Sequence, residues 1–382
     1  MNTRTYSTWT GGPVWPKWTG GPAIALLVGA ILRRDGKALL FGLVACAIAA
    51  TVATFQFAVF TSFLRAGAAA PRFVGADAWI AARGVECFDF PAPLSEGYAG
   101  AVLAALPGAR VRPVLAGFGG WAGPGGSAGN VMVIGLEGTN MGPRGFLADA
   151  SDLARLNLAG PATASIGGIT MTMAGTTDRL ATFLGAPYVV LPADTARRAL
   201  GWPPGQIAYL AIDFPGGVPA DLDARLAGLA AHYPEISAYT GAGFEARSSL
   251  YWQAKTGAGA AILLAAVLAA LLDLLLLVNA CARFVQRRQA DILSLIGHGA
   301  GAEHVLALIV AMAGVLVLGS LLAVLLAAPL ITMVARPLLP WVTFKSADLV
   351  FALGLSLVAF IVAALAARAD IQRFPPDAMF RN

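Results

Sequence analysis

The residues best suited to metal or acid–base chemistry are few: the chain has three histidines, His232, His298 and His304. A zinc centre needs three or four convergent N, S or O ligands, and Glu303-His304 lacks the spacing of an H-E-x-x-H helix. Cys46, Cys87 and Cys281 stand in separate segments, so no C-x-x-C pair exists to supply thiolates. The chain contains neither the G-x-S-x-G turn of a serine nucleophile nor the G-x-x-x-x-G-K-[ST] loop that cradles phosphates. No catalytic constellation, metal ligand set or nucleotide site is therefore expected, and no cofactor on this chain.

Chemistry of another kind is suggested by Asp273, which interrupts an otherwise uncharged apolar run. A carboxylate at the centre of a membrane helix costs about 2.5–3.5 kcal/mol. One reading is a proton or ion relay. The other is a hydrogen bond between helices, with Asn279, Gln56 or Ser320 as partner, and the absence of a second ionisable group in the apolar runs favours it. Asp273 can also mark a dimer seam.

A second informative stretch runs from Arg283 to Gly297. Ile292, Leu295 and Ile296 share one helical face, and Arg287, Arg288 and Asp291 share another. Gly297, Gly299 and Gly301 then end the helix. The pattern predicts an amphipathic helix presented between two apolar segments.

The elements that must position these residues are dictated by composition. The chain is 58% hydrophobic and only 12% charged, with a mean hydropathy of +0.72, whereas soluble domains carry about 25% charged residues. Crossing about 30 Å of hydrocarbon takes about 20 apolar residues. Four runs qualify, at 37–65, 256–282, 305–335 and 349–367. Residues 1–37, 283–304 and 368–382 carry eleven basic side chains against five acidic ones, and Lys and Arg accumulate on the cytoplasmic side. Both termini and the 283–304 loop are thus expected in the cytoplasm, with residues 66–255 outside and 336–348 forming a short outer loop. The pI near 9.3 follows from this asymmetry, so no nucleic-acid partner is implied.

Ala23 to Leu32 is too short to span and runs into Arg33-Arg34 without a cleavage site, so it reads as a helix lying at the inner interface. Before it, Trp9 to Pro13 and Trp18 to Pro22 repeat the same Trp-Thr-Gly-Gly-Pro sequence, a tail that cannot sustain a helix.

Residues 66–255 carry 12 basic and 14 acidic side chains and alternate between β-rich and helical patterns, as an α+β domain does. Strands are expected at Asp77–Ala82, Val111–Ala116, Asn130–Gly135, Tyr188–Leu191, Gln206–Phe214 and Ile236–Thr240. Ile166–Ala174 reads as a strand or one arm of a hairpin entered through Gly167-Gly168. A helical turn is expected with Asp194 as N-cap, and an amphipathic helix at Asp221–His232. Gly117–Gly129, with seven glycines, reads as a mobile loop. The domain's lone Cys87 permits no internal disulfide and reads as a small buried side chain.

In sum the chain is expected to be an integral membrane α-helical protein, with four transmembrane helices and one large extracytoplasmic α+β domain between spans 1 and 2.

At Arg287 to Gly297 the sequence resembles the FtsX-like permeases of the MacB/LolCDE superfamily of ABC transporters, especially their DevC-like branch. The basic loop followed by Ile292-Leu293-Ser294-Leu295-Ile296-Gly297 is similar to that family's R-x-x-E-I-G-I-L segment, with Gln289 where the family commonly has Glu. Arg373 to Met379 is similar to its closing P-x-x-A-[LM]. The four-span plan with a large domain after span 1 matches across nearly the whole chain. The resemblance implies a permease that pairs with a second copy of itself and with a separate ATP-hydrolysing subunit. Arg283, Arg287, Arg288, Asp291, Ile292, Leu295, Ile296 and Gly297 would form the coupling helix. It further implies an inner-membrane location, mechanotransmission to the outer domains, and export of a lipid or other hydrophobic cargo with a membrane-fusion protein and an outer-membrane channel. Alternatives within and outside the family are a regulator of cell-wall hydrolases and a membrane receptor or scaffold.

Overall fold

The computed structural model describes residues 29–30, 33, 36–160, 162–178, 180–182, 186–297, 302–335 and 337–372. The Trp-Thr-Gly-Gly-Pro repeat, most of the helix expected at Ala23–Leu32, and the tail from Arg373 lie outside the described residues.

Among the described residues four helices are long and apolar enough to cross a membrane: Leu39–Ala66, Ala258–Arg287, Glu303–Ala335 and Ser346–Ala366. In chain order these are the first to fourth spans. A helix satisfies every backbone polar group within itself, which hydrocarbon demands. The α+β domain lies between the first and second spans in the chain.

The chain divides into two compact units, whose boundaries cut through the spans. One unit holds the described residues up to Val52, Ala269–Leu325 and those from Val350 onward. Its core is made of small and medium side chains, Cys46, Leu277, Cys281, Ala313, Leu316 and Ala359 among them. Small residues let helix backbones approach where lipid supplies no hydrophobic drive. Gly319 is the tightest point, since a Cβ there would lie 2.5 Å from Leu43 Cδ1. Leu271, Leu275, Leu318 and Leu357 face outward, an apolar surface that suits lipid.

The other unit holds Ala53–Leu268 and Leu326–Leu349. Its strands are β1 (Ala78–Ala82), β2 (Leu94–Ser95), β3 (Arg110–Ala122), β4 (Ala128–Leu136), β5 (Gly145–Asp149) and β6 (Thr163–Ile166). Then follow β7 (Ile169–Thr177), β8 (Tyr188–Pro192), β9 (Gln206–Ile207), β10 (Tyr209–Asp213) and β11 (Ile236–Thr240). The main sheet has the order β11-β1-β10-β3-β4-β8-β5-β7-β6, and β6 also pairs with β3. The six strands from β3 to β6 therefore close into a ring. The long β3 makes this possible, pairing with β10 along Arg110–Val114 and with β6 at Trp121 and Ala122.

Leu115, Trp121, Val133, Phe146, Ile166 and Leu191 belong to the core of the ring. On the open sheet, Ile80, Leu210 and Ile212 pack with Val102 of the helix Tyr98–Ala105 and with Leu222, Leu226 and Leu229 of the helix Leu222–His232. Trp79, Phe88, Tyr209 and Phe244 form a separate aromatic core, with ring centroids 4.9 to 6.5 Å apart.

Three local expectations are corrected and one is narrowed. Gly117–Gly129 is not a mobile loop but the facing arms of β3 and β4, joined by a short turn at Pro124–Gly126. Its glycines allow close approach, since a Cβ at Gly119 would meet Val133 Cγ2 at 3.2 Å. Of the two readings of Ile166–Ala174 the hairpin arm holds: β6 and β7 pair, and Gly167 and Gly168, with φ of 57° and 80°, form the turn, as the right-handed twist of a two-residue hairpin requires. Gln206–Phe214 is split, because Gln206 and Ile207 leave the main sheet to pair with β2. The helix Ala193–Leu200 has Pro192 at its N-cap, so Asp194 sits in the first turn instead, where a negative charge suits the helix dipole.

Candidate functional site

The second-span helix continues past its apolar stretch to Arg287, and a new helix, Gln289–Gly297, starts one residue later. The single helix expected over Arg283–Ile296 is therefore two. At the joint the Arg288 N–H donates to the carbonyls of Phe284 (3.1 Å) and Val285 (3.2 Å), while the Arg288 carbonyl accepts from the Ile292 N–H at 2.8 Å. The Arg288 guanidinium pairs with Asp291 in the first turn of the short helix. That carboxylate also meets the positive end of the helix dipole.

Ile292 is 2% exposed and packs with Val285, Val305 and Ile309, with Phe284 beside them. It is therefore an anchor that fixes the short helix to the ends of the second and third spans. Gln289, Ala290, Asp291 and Ser294 are the exposed positions. Leu295, Ile296 and Gly297 lie in the last turn of the helix, and their side-chain environment lies outside what is described, as does His298. The structure thus provides a short, anchored helix with an outward polar face.

Beside it lies a pocket of about 270 Å³ bounded by the first, second and third spans. Arg283, Arg287 and Arg288 line it together with apolar side chains, among them Leu39, Leu276 and Met312. Asn279 also lines this pocket. Asp273 is buried in the same unit, yet it makes no hydrogen bond among the described residues. Ser320 donates to its own helix, at Val317 O (2.9 Å), and Gln56 belongs to the other unit.

A buried polar cluster that no motif announced lies in the α+β unit. The Asp89 carboxylate accepts hydrogen bonds from the Tyr188 hydroxyl, from Trp252 Nε1 at 3.0 Å and from Cys87 Sγ at 3.3 Å. Burial pushes the Asp89 carboxyl up from its ordinary range, against the pull of these three donors. Burial and the neighbouring Asp89 also push the Cys87 thiol up, which leaves it inert as a nucleophile. Trp252 lies in the helix Gly241–Ala254, which leads into the second span. The only trace in the sequence is the polar Asp89 set in Cys87-Phe88-Asp89-Phe90.

Next to this cluster Phe90 and Phe118 are about half exposed, with centroids 6.4 Å apart, and Phe90 also lies 5.7 Å from Tyr251. Nearer the fourth span, the fully buried Asp348 accepts from Thr61 Oγ1 (2.9 Å) and from the Lys345 N–H (2.7 Å). Arg65 reaches Thr343 O at 3.1 Å. Among the described residues no group of three His, Cys, Asp or Glu side chains converges to hold a metal.

No protein-family model matches the sequence, and no curated protein matches it significantly. Among solved structures, the chain is similar to the periplasmic region of MacB from Actinobacillus actinomycetemcomitans, with 10% identity and a TM-score of 0.34, over 44% of this chain and 90% of that one. It is also similar to the extracellular domain of the noncanonic ABC-type transporter YknZ from Gram-positive bacteria, with 10% identity and a TM-score of 0.31, over 43% of this chain and 99% of that one.

Proposed function

We propose that this chain is the permease subunit of an ABC-type export system, driven by a separate ATPase subunit that docks on the helix Gln289–Gly297. The observation that carries the reading is that helix itself: short, anchored through Ile292, and presenting Gln289, Ala290, Asp291 and Ser294 outward between two spans. A force applied to an anchored helix passes into the spans that hold it. The resemblance of the Arg287–Gly297 segment to FtsX-like permeases supports the same assignment, as does the plan of four spans with an α+β domain after the first. The charge asymmetry supports an orientation with both termini in the cytoplasm and the α+β domain outside the inner membrane. Two copies of the chain would pair.

The cargo is read as a lipid or other hydrophobic compound. Among the described residues the spans bury few polar groups, such as Thr54, Asp273 and Ser320, which favours an apolar cargo. The exposed Phe90 and Phe118 supply an apolar surface on the outer unit. A membrane-fusion protein and an outer-membrane channel would complete the route.

The test is affinity purification of the tagged chain from its native membrane, with mass spectrometry and an ATPase assay. An ABC ATPase should be recovered, and Ala290→Arg and Leu295→Asp should each abolish its recovery while the chain still inserts. Recovery of the chain with no ATPase would favour a receptor or scaffold instead.

A further inference from the structure

The pocket at the end of the second span joins two chemistries. Its lining combines apolar side chains, Leu276, Met312 and Leu316 among them, with Asn279 and the guanidinium groups of Arg283 and Arg287. At about 270 Å³ it falls just short of the roughly 300–1,000 Å³ that enclose a whole small molecule. It has room for a segment of one chain, with the rest of the ligand outside. Both arginines are exposed, and among the described residues neither forms an ion pair. Arg288 differs, being held by Asp291. Arg283 and Arg287 stand one helical turn apart, four residues along the same face, so two guanidinium groups can converge on one anion. They follow an apolar helix that begins at Ala258, so they lie at the depth where a span meets phosphate headgroups.

We propose that this pocket binds one anionic phospholipid of the leaflet that meets the Arg283 end of the second span. The phosphate lies against Arg283 and Arg287, and part of an acyl chain lies along Leu276 and Met312. Charge complementarity selects this occupant: a neutral lipid or a detergent fills the apolar part but leaves two cations without a counter-charge. The proposal does not depend on the export reading, because it needs neither an ATPase nor a cargo.

The experiment uses the full-length chain in neutral detergent micelles, titrated with dioleoyl phosphatidylglycerol or dioleoyl phosphatidylcholine and read by native mass spectrometry. One phosphatidylglycerol should be retained per chain in preference to phosphatidylcholine. Arg283→Ala/Arg287→Ala should weaken it by about 30-fold, since a basic residue near an anionic surface is worth roughly fivefold. Ala45→Phe, which fills the apolar part without touching charge, should also displace it. Arg33→Ala/Lys37→Ala, which removes two charges outside the pocket lining, should leave it bound. Equal loss in both double variants would reduce the effect to overall charge and overturn the proposal. So would equal retention of phosphatidylcholine, or a lipid-free species in which a second copy of the chain protects the pocket.

Discussion

The indole Nε1 of Trp252 donates a 3.0 Å hydrogen bond to the carboxylate of Asp89, and both residues are buried. Trp252 is near the end of the helix that leads into the second span, whereas Asp89 belongs to the loop after β1. This polar contact helps tie the sheet to the segment that enters the membrane, within one compact unit, as does the bond from the Phe88 N–H to Ser248 Oγ at 3.3 Å. Asp89→Ala should remove the acceptor shared by the Tyr188 hydroxyl and the Trp252 N–H and lower stability by about 2–4 kcal/mol. Trp252→Phe, which removes one donor and keeps the ring, should cost about 1–2 kcal/mol. Thermal unfolding of the chain in detergent, followed by near-UV circular dichroism, would measure both.

A pH dependence follows from Asp152. Its Oδ1 accepts from Arg155 at 2.7 Å, but Oδ2 has no hydrogen-bond partner among the described residues, and burial pushes the carboxyl up to about 6. Such a group holds its proton more tightly folded than unfolded. Its contribution is therefore most favourable below the ordinary carboxylate range and is lost as pH rises from about 4 to about 6, by at most about 3 kcal/mol. The raised Asp89 carboxyl adds a slope of the same sign. Asp152→Asn should flatten the stability profile over that window and be more stable than the parent at neutral pH. Amide exchange in β5 and β7 as a function of pH would check it.

The hairpin turn offers a paired comparison. Gly167 and Gly168 both have positive φ, but a Cβ at Gly167 would lie 2.1 Å from Ala199 O, whereas nothing lies within 4 Å at Gly168. Gly168→Ala should cost only the backbone strain, about 1 kcal/mol. Gly167→Ala should also force the helix Ala193–Leu200 away and cost about 3 kcal/mol or more. Equal denaturation midpoints would contradict the close approach.

Ile292→Asp would bury a carboxylate among Val285, Val305 and Ile309. An unpaired charge there should release the short helix, seen as loss of amide protection over residues 289–297, while the strands of the α+β unit keep theirs. Ala290→Arg, at an exposed position, should leave protection unchanged.

Phe90→Asp/Phe118→Asp tests the exposed aromatic pair. Neither side chain is fully buried, so folding should change by less than about 1 kcal/mol. If the pair handles hydrophobic cargo, export should fall at least severalfold while ATPase recovery stays normal. Unchanged export would remove that role from this surface.

Several elements were plain in the sequence for physical reasons. Ile236–Thr240 and the helix near Asp221–His232 show their patterns within a few residues, and each lies where the alternation or the apolar stripe puts it. Gly117–Gly129 misled, because glycine lowers strand propensity by itself while serving β3 and β4 through the close contacts it permits. The split of Gln206–Phe214 was equally hidden: its residues are uniformly strand-like, and only the position of Leu94 and Ser95 decides which edge they join.

The sequence by itself determined the number of spans, the place of the α+β domain between the first two, and the lopsided distribution of basic residues. Each of these depends on a length of apolar chain or a count of charges, properties that a bilayer reads along one dimension. Tertiary structure alone decided the closure of β3 on β6, the inward turn of Ile292, the pocket beneath Arg283 and Arg287, and the burial of Asp89 beneath Tyr188 and Trp252. Those features join residues far apart in the chain, and their energies arise from packing and from the loss of water around paired polar groups. Neither exists until the distant segments meet.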